Sequence, residues 1–191
     1  MITWFIPYKN IIPDDYVSSI FDINYDKLYS EGKRIILTDL DNTLISYSSS
    51  YPTKELFEWK ERLQKIGFEI IVVSNSGKER VRDFSALLGL KYVNFATKPL
   101  KRGFKKAFKI ASREYKKEEA IVLGDQLLTD VLGAKRYGLS MVLVRAIDKK
   151  TERRVTRFNR KNEDKMLGKV EKKDYELYLA RLKKYKEDRE W

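Results

Sequence analysis

The 191-residue chain contains no cysteine and no histidine. Without cysteine it has no disulfide, no zinc-thiolate or iron–sulfur site and no thiol nucleophile. Without histidine it has no Ser-His-Asp triad, no imidazole metal ligand and no phosphohistidine. Catalysis is left to carboxylates, hydroxyls, lysines or a metal held by oxygen. No apolar run reaches the roughly 18 residues of a transmembrane helix. Met1 to Pro7 carry no basic stretch ahead of their apolar residues and no small-residue cleavage site, so a signal peptide is not expected and a cytoplasmic protein is.

What is present suffices for a folded domain. The apolar fraction of 42% and aromatic fraction of 13% exclude a disordered chain. Lys and Arg number 40 against 28 Asp and Glu, a net charge of +12. Such a surface suits nucleic acid, acidic lipid headgroups or phosphorylated substrates, and is equally that of a generic basic protein.

Periodicity places strands and helices in alternation over residues 34–144. Ile35-Ile36-Leu37, Ile70–Val73, Tyr92–Phe95, Ala120–Leu123 and Met141–Val144 read as strands, most of them continuous apolar runs as in a parallel sheet buried on both faces. Between them, Thr53 is placed to cap a helix with stripe Leu56, Trp59, Leu63 and Ile66, ended by Gly67. Ser76 and Glu79 have capping-box spacing ahead of Val81, Phe84 and Leu88. Phe104, Phe108, Ala111 and Tyr115 predict one long helix, and Thr129 opens a short one stopped by Gly138. The fold expected is a doubly wound parallel α/β sheet. Residues 1–33 form an N-terminal extension packing on the domain, 34–147 the domain, and 148–191 a basic, partly helical extension. That last stretch holds 16 Lys/Arg, 10 Asp/Glu and one narrow stripe of Tyr175, Tyr178, Leu179, Leu182 and Tyr185.

In an open α/β sheet, ligands bind beyond the carboxyl ends of the strands. Polar residues fall there repeatedly: Asp39 and Asp41, Ser74-Asn75, Lys98, then Asp125 with Asp130. Carboxylates gathered at one rim repel, and a divalent cation is their natural counterion. All-oxygen ligation suits Mg²⁺. A cation, a lysine and backbone N–H groups can hold a dianionic phosphoryl group while a carboxylate attacks it. No P-loop and no Gly-x-Gly-x-x-Gly is present. The residues therefore point to a Mg²⁺-dependent phosphoryl site.

Asp39-Leu40-Asp41-Asn42-Thr43-Leu44, Ser74, Lys98 and Gly124-Asp125-Gln126-Leu127-Leu128-Thr129-Asp130 resemble, in order and spacing, the four motifs of haloacid dehalogenase (HAD) superfamily phosphatases. Ile12-Pro13, Ser19-Ile20-Phe21-Asp22-Ile23 and Thr156-Arg157-Phe158-Asn159-Arg160 extend the resemblance to the YqeG family of subclass IIIA, similar to the phosphatidylglycerophosphate phosphatases of mitochondria and plastids. The resemblance implies a HAD-like fold, with Asp39 as nucleophile forming an aspartyl-phosphate and Asp41 as the acid and then the base. It implies Mg²⁺ on Asp39, Asp125 and the main-chain carbonyl of Asp41, supported by Asp130. Ser74, with Asn75, and Lys98 would bind the phosphoryl oxygens.

Neither Ser46–Glu69 nor Ser76–Thr97 has room for a cap domain, and an open site suits a phosphate on a macromolecule or at a bilayer. Arg102, Lys106, Lys109 and Arg113 recur along one face of the helix after Lys98, an expected contact for anionic lipid and, as second choice, nucleic acid. Trp4, Phe5, Ile6 and Tyr8 are candidates for an interfacial anchor or for packing on the domain. The expected function is phosphatidylglycerophosphate hydrolysis at the inner face of the membrane. The alternatives are a phosphatase of nucleic-acid ends, phosphoproteins or sugar phosphates, and an RNA- or ribosome-associated protein with a residual site.

Overall fold

The computed structural model describes residues 6–189, so Trp4 and Phe5 of the candidate anchor lie outside the described residues. Ile6 is buried and Tyr8 packs against the core. Six strands form one parallel sheet: β1 (Asp15–Val17), β2 (Ile35–Thr38), β3 (Glu69–Val73), β4 (Lys91–Val93), β5 (Ala120–Gly124) and β6 (Ser140–Val144), in the order β1-β6-β5-β2-β3-β4. Every residue of β2 and β5 is buried, because helices cover both faces and leave no wet side to alternate toward. Thr38 lies opposite Val72 on one side and Leu123 on the other, so β2, β3 and β5 end level with one another.

The two faces carry separate cores. Ile36, Ile70, Val72, Ile121 and Leu123 pack against α2 (Lys54–Ile66) and α3 (Lys78–Leu88) through Trp59, Leu63, Val81 and Phe84. Ile35, Leu37, Ile71, Val73 and Met141 pack on the other face. They meet α4 (Arg102–Ile110) through Phe104 and α5 (Leu132–Tyr137) through Leu132 and Ala134. The same core takes Met166, Leu167 and Val170 of α6 (Arg154–Lys173), Tyr178 of α7 (Tyr175–Arg181), and Leu182 and Tyr185 beside α8 (Lys183–Glu187).

Local expectations hold where the signals are covalent or steric. Thr53 Oγ1 accepts from the Leu56 N–H at 3.3 Å, and Gly67 ends α2 at φ 111°. Others are corrected. α3 begins after Gly77 with no side-chain cap, because the Ser76 hydroxyl bonds Asp41 instead of the helix. β4 stops at Val93, and Phe95, at φ 44°, has turned out of the sheet. The helix after Lys98 stops at Ile110, where Ser112 N–H and Oγ bond the Glu69 carboxylate at 2.9–3.0 Å and Ala111 becomes extended. Tyr115 therefore packs from a loop, and Arg113 is not on the helix. The tyrosine stripe is split between α7 and α8, so Tyr178, Leu182 and Tyr185 are buried while Tyr175 and Leu179 are exposed.

β1 and the short helix α1 (Tyr25–Ser30) come from a stretch with no strand or helix period. β1 adds to the sheet edge through Asp15, Tyr16 and Val17 opposite Val142, Leu143 and Val144. The connections β2–β3 and β3–β4 each contain one helix and no inserted domain.

Candidate active site

β2 and β5 are neighbours in the sheet, and the chain runs from them in opposite directions, β2 to β3 and β5 to β6. The crevice beyond such a pair is where doubly wound sheets take ligands. Asp39 and Asp125 each follow the last residue of one of these strands. Asp130 comes from the π-helical turn Leu127–Val131 after β5. Gly124 makes room for it: a Cβ there would lie 2.5 Å from Asp130 Cγ. Gln126 N–H and Thr129 Oγ1 hold Asp130 Oδ2 at 3.1 and 3.3 Å.

Asp39, Asp125 and Asp130 are all buried, and each offers an oxygen within 4.8 Å of the others. Lys98 is buried among them, its Nζ 2.7 Å from Asp39 Oδ1 and 2.6 Å from Asp130 Oδ1. Burial alone would lower the Lys98 ammonium, but Asp130 and Asp39 outweigh it and raise it above its ordinary value. Burial raises Asp39 well above the carboxylate range. Lys98 opposes this, and Asp130, Asp125 and Asp41 add to it. Asp125 is pushed up to about 7 by burial, against the pull of Arg160. Lys98 serves Asp39 and Asp130, Arg160 is shared among Asp125, Glu152 and Glu163, and the three converging oxygens of Asp39, Asp125 and Asp130, with no nitrogen or sulfur donor, fit a hard divalent cation.

The remaining expected residues surround this cluster. Asp41 is buried with its carboxylate turned the other way, Oδ2 accepting from Ser76 Oγ and Oδ1 from Arg80 Nε at 2.6 Å. Ser74 is buried, and its Oγ accepts from Ser76 N–H at 3.1 Å. Asn75 is committed to the main chain of Lys98, accepting from its N–H at 2.7 Å and donating to its carbonyl at 3.0 Å. Asp39, Asp41, Ser74, Asn75 and Lys98 line one small cleft with Tyr47, Ser76, Gln126 and Thr129. Arg102, Lys106 and Lys109 are exposed on α4. Arg113 is instead paired with Glu119 at 2.7 Å and stacked on Tyr115.

Sequence reasoning missed two cations. Arg80, in the first turn of α3, clamps Asp41 and also donates to the carbonyls of Ser46 and Ser49 at 3.0 Å. No motif announces it. Arg160, on α6, bonds both the carboxylate and the carbonyl oxygen of Asp125, the latter at 2.6 Å. It lies in the Thr156–Arg160 segment that carries part of the family resemblance, where nothing local marks it as reaching the site.

A switch-point crevice with this carboxylate and lysine set defines a hydrolase-type domain of the HAD superfamily. The family model described as HAD-hydrolase-like matches residues 96–164. The chain is 38% identical over 167 residues to "Probable phosphatase YqeG" of Bacillus subtilis (strain 168), a match that covers 87% of this chain and 95% of that one. The chain belongs to the YqeG family of HAD phosphatases. Among solved structures, it is similar to the cobalt-bound deoxy-D-mannose-octulosonate 8-phosphate phosphatase of Haemophilus influenzae, at 16% identity and a TM-score of 0.48, covering 74% of this chain and 90% of that one. It is also similar to 3-deoxy-D-manno-octulosonate 8-phosphate phosphatase of Yersinia pestis, at 14% identity and a TM-score of 0.47, covering 64% and 70%. No helix among the described residues is long and apolar enough to cross a membrane.

Proposed function

We propose that the protein is a Mg²⁺-dependent phosphomonoesterase that works through an aspartyl-phosphate on Asp39, with phosphatidylglycerophosphate as its substrate. The observation that carries the reading is the buried lysine held between Asp39 and Asp130 at the switch point. Asp39, Asp125 and Asp130 would hold the cation, with the main-chain carbonyl of Asp41. When bound, it neutralises the carboxylates and the phosphoryl charge.

An Asp39 oxygen attacks phosphorus, and the phosphorus–ester oxygen bond breaks as Asp41 gives its proton to the leaving alkoxide. Asp41 then takes a proton from water as the water attacks the same phosphorus. The Asp39–phosphorus bond breaks, inorganic phosphate leaves and Asp39 is restored. Ser76 and Arg80 occupy both oxygens of Asp41 in the structure, so one of these bonds opens for each transfer. Lys98 and Ser74 bind phosphoryl oxygens, while Asn75 braces the Lys98 main chain.

The lipid substrate is supported by the absence of an inserted cap and by the rim of the site. Phe95 and Leu100, 60% and 59% exposed, stand on either side of Lys98 in the chain, and the exposed Lys101 and Arg102 follow. Apolar side chains next to cations suit a headgroup layer. The test is phosphate release from phosphatidylglycerophosphate in micelles, beside p-nitrophenyl phosphate, a sugar phosphate, a phosphopeptide and a 5′-phosphorylated oligonucleotide. The lipid should be turned over with the highest kcat/KM. Preference for any of the others overturns the substrate, and no turnover of any ester overturns the phosphatase reading.

A further inference from the structure

The least expected feature of the site is that the C-terminal helices reach it. Arg160 of α6 is buried behind Asp125. Its Nη2 donates to Asp125 Oδ2, and its Nη1 donates to the Asp125 carbonyl at 2.6 Å. The guanidinium is itself held on its other edges. Glu152 Oε1 accepts from Nε at 3.1 Å and Nη2 at 3.0 Å, and Nη1 donates to the Tyr185 hydroxyl at 3.1 Å. Tyr185, also fully buried, donates to Glu163 at 3.0 Å. Glu152 Oε1 also accepts from Nδ2 of Asn42, the residue after Asp41, at 3.2 Å. One network thus runs from the loop after β2, through the tail, to the carboxylate after β5.

We infer that Arg160 is a positioning residue of the metal site, fixing Asp125 by Oδ2 and by its backbone so that Oδ1 is left for a divalent cation, and that the tail helices serve to place it. This rests on Asp125 being a metal ligand, as in the function proposed above. A planar fork grips a carboxylate and a carbonyl of one residue through two nitrogens at fixed spacing, which the single nitrogen of an ammonium does not offer. Among the described residues, the hydrogen bond that reaches Oδ1 is a long one, from the Thr43 hydroxyl at 3.4 Å. The competing account is that Arg160 only neutralises the buried Asp125, Glu152 and Glu163 and has no bearing on the cation.

Calorimetry and electron paramagnetic resonance with Mn²⁺ as probe, on the full chain near neutral pH, separate the two. Arg160→Met should weaken Mn²⁺ binding by about 10- to 100-fold, the usual effect of losing the hydrogen-bond partner of a metal ligand. Arg160→Lys keeps the charge without the fork and should remain about tenfold weaker than wild type. Tyr185→Phe, which removes one hydroxyl and keeps the packing, should weaken binding a few-fold with an unchanged circular dichroism spectrum, and it decides the matter if Arg160→Met does not fold. Lys165→Met, exposed on α6, should match wild type. Wild-type affinity in folded Arg160→Met, full recovery by Arg160→Lys, or wild-type affinity in Tyr185→Phe when Arg160→Met is unfolded overturns the inference alone. A wild type that binds Mn²⁺ no better than Asp125→Ala overturns the metal-ligand reading and this inference with it.

Discussion

Lys98 Nζ lies 2.7 Å from Asp39 Oδ1, with both side chains buried and the two residues 59 positions apart in sequence. Desolvating a buried pair can cost as much as its attraction returns, so the pair is weak evidence for stability. Its place at the crevice between β2 and β5 gives it a use instead. In the proposed reaction the lysine holds the attacking carboxylate and receives the phosphoryl oxygens.

Asp39→Asn removes the proposed nucleophile and keeps the shape. Phosphatase activity should be lost while thermal unfolding stays cooperative. Beryllofluoride, an acyl-phosphate mimic, should bind the wild type and not the variant. Substantial turnover by Asp39→Asn sinks the assignment.

Asp125, pushed up to about 7, and Asp39, raised in the same direction, predict how metal and pH interact. Between roughly 3.9 and the raised value, the folded protein keeps a proton at Asp125 that the unfolded chain has released. For this group, stability is fully present below the unfolded pKa and is lost as pH rises through the folded one. A cation binds the ionised form and offsets that loss. The Tm increase on adding Mg²⁺ should therefore be larger at pH 8 than at pH 5.5, and activity should vanish in EDTA. An equal increase at both pH values would contradict the carboxylate cluster as the binding site.

Gly124→Ala tests the floor of the site. The added Cβ would stand 2.5 Å from Asp130 Cγ and 2.8 Å from its Oδ2, so Asp130 must move. Overpacking of this kind costs about 1–3 kcal/mol. A lowered Tm should come with weakened Mg²⁺ binding. A variant with wild-type metal affinity would show that Asp130 is not needed there.

The exposed cations of α4 test the proposed docking on anionic lipid. Arg102, Lys106 and Lys109 changed together to Gln should lose binding to anionic vesicles. Three cations at about 1 kcal/mol each are worth roughly 3 kcal/mol, on the order of a hundredfold at low salt. The loss should shrink in high salt, and turnover of p-nitrophenyl phosphate should fall far less. Arg113→Gln alone should leave vesicle binding unchanged, since its guanidinium is engaged by Glu119 and Tyr115. Wild-type protein that ignores vesicles and retains RNA would move the surface to the nucleic-acid alternative.

Local chemistry in the sequence determined the alternating strands and helices from β2 to β6, the Thr53 cap, the Gly67 stop and the placing of Asp39, Ser74 and Asp125 directly after β2, β3 and β5, with Lys98 in the loop after β4. Those features follow from side-chain period, capping and backbone freedom, all of which act within a few residues. Tertiary structure decided the rest. β1 is three exposed or half-buried residues whose place is set by pairing with β6. The helix α4 ends early because Glu69, 43 positions away, competes for Ser112. Ser76 leaves its helix for Asp41, and Arg80 and Arg160 reach Asp41 and Asp125 across 39 and 35 positions. A buried charge takes whichever partner the fold brings within hydrogen-bond distance, and sequence spacing does not encode that distance.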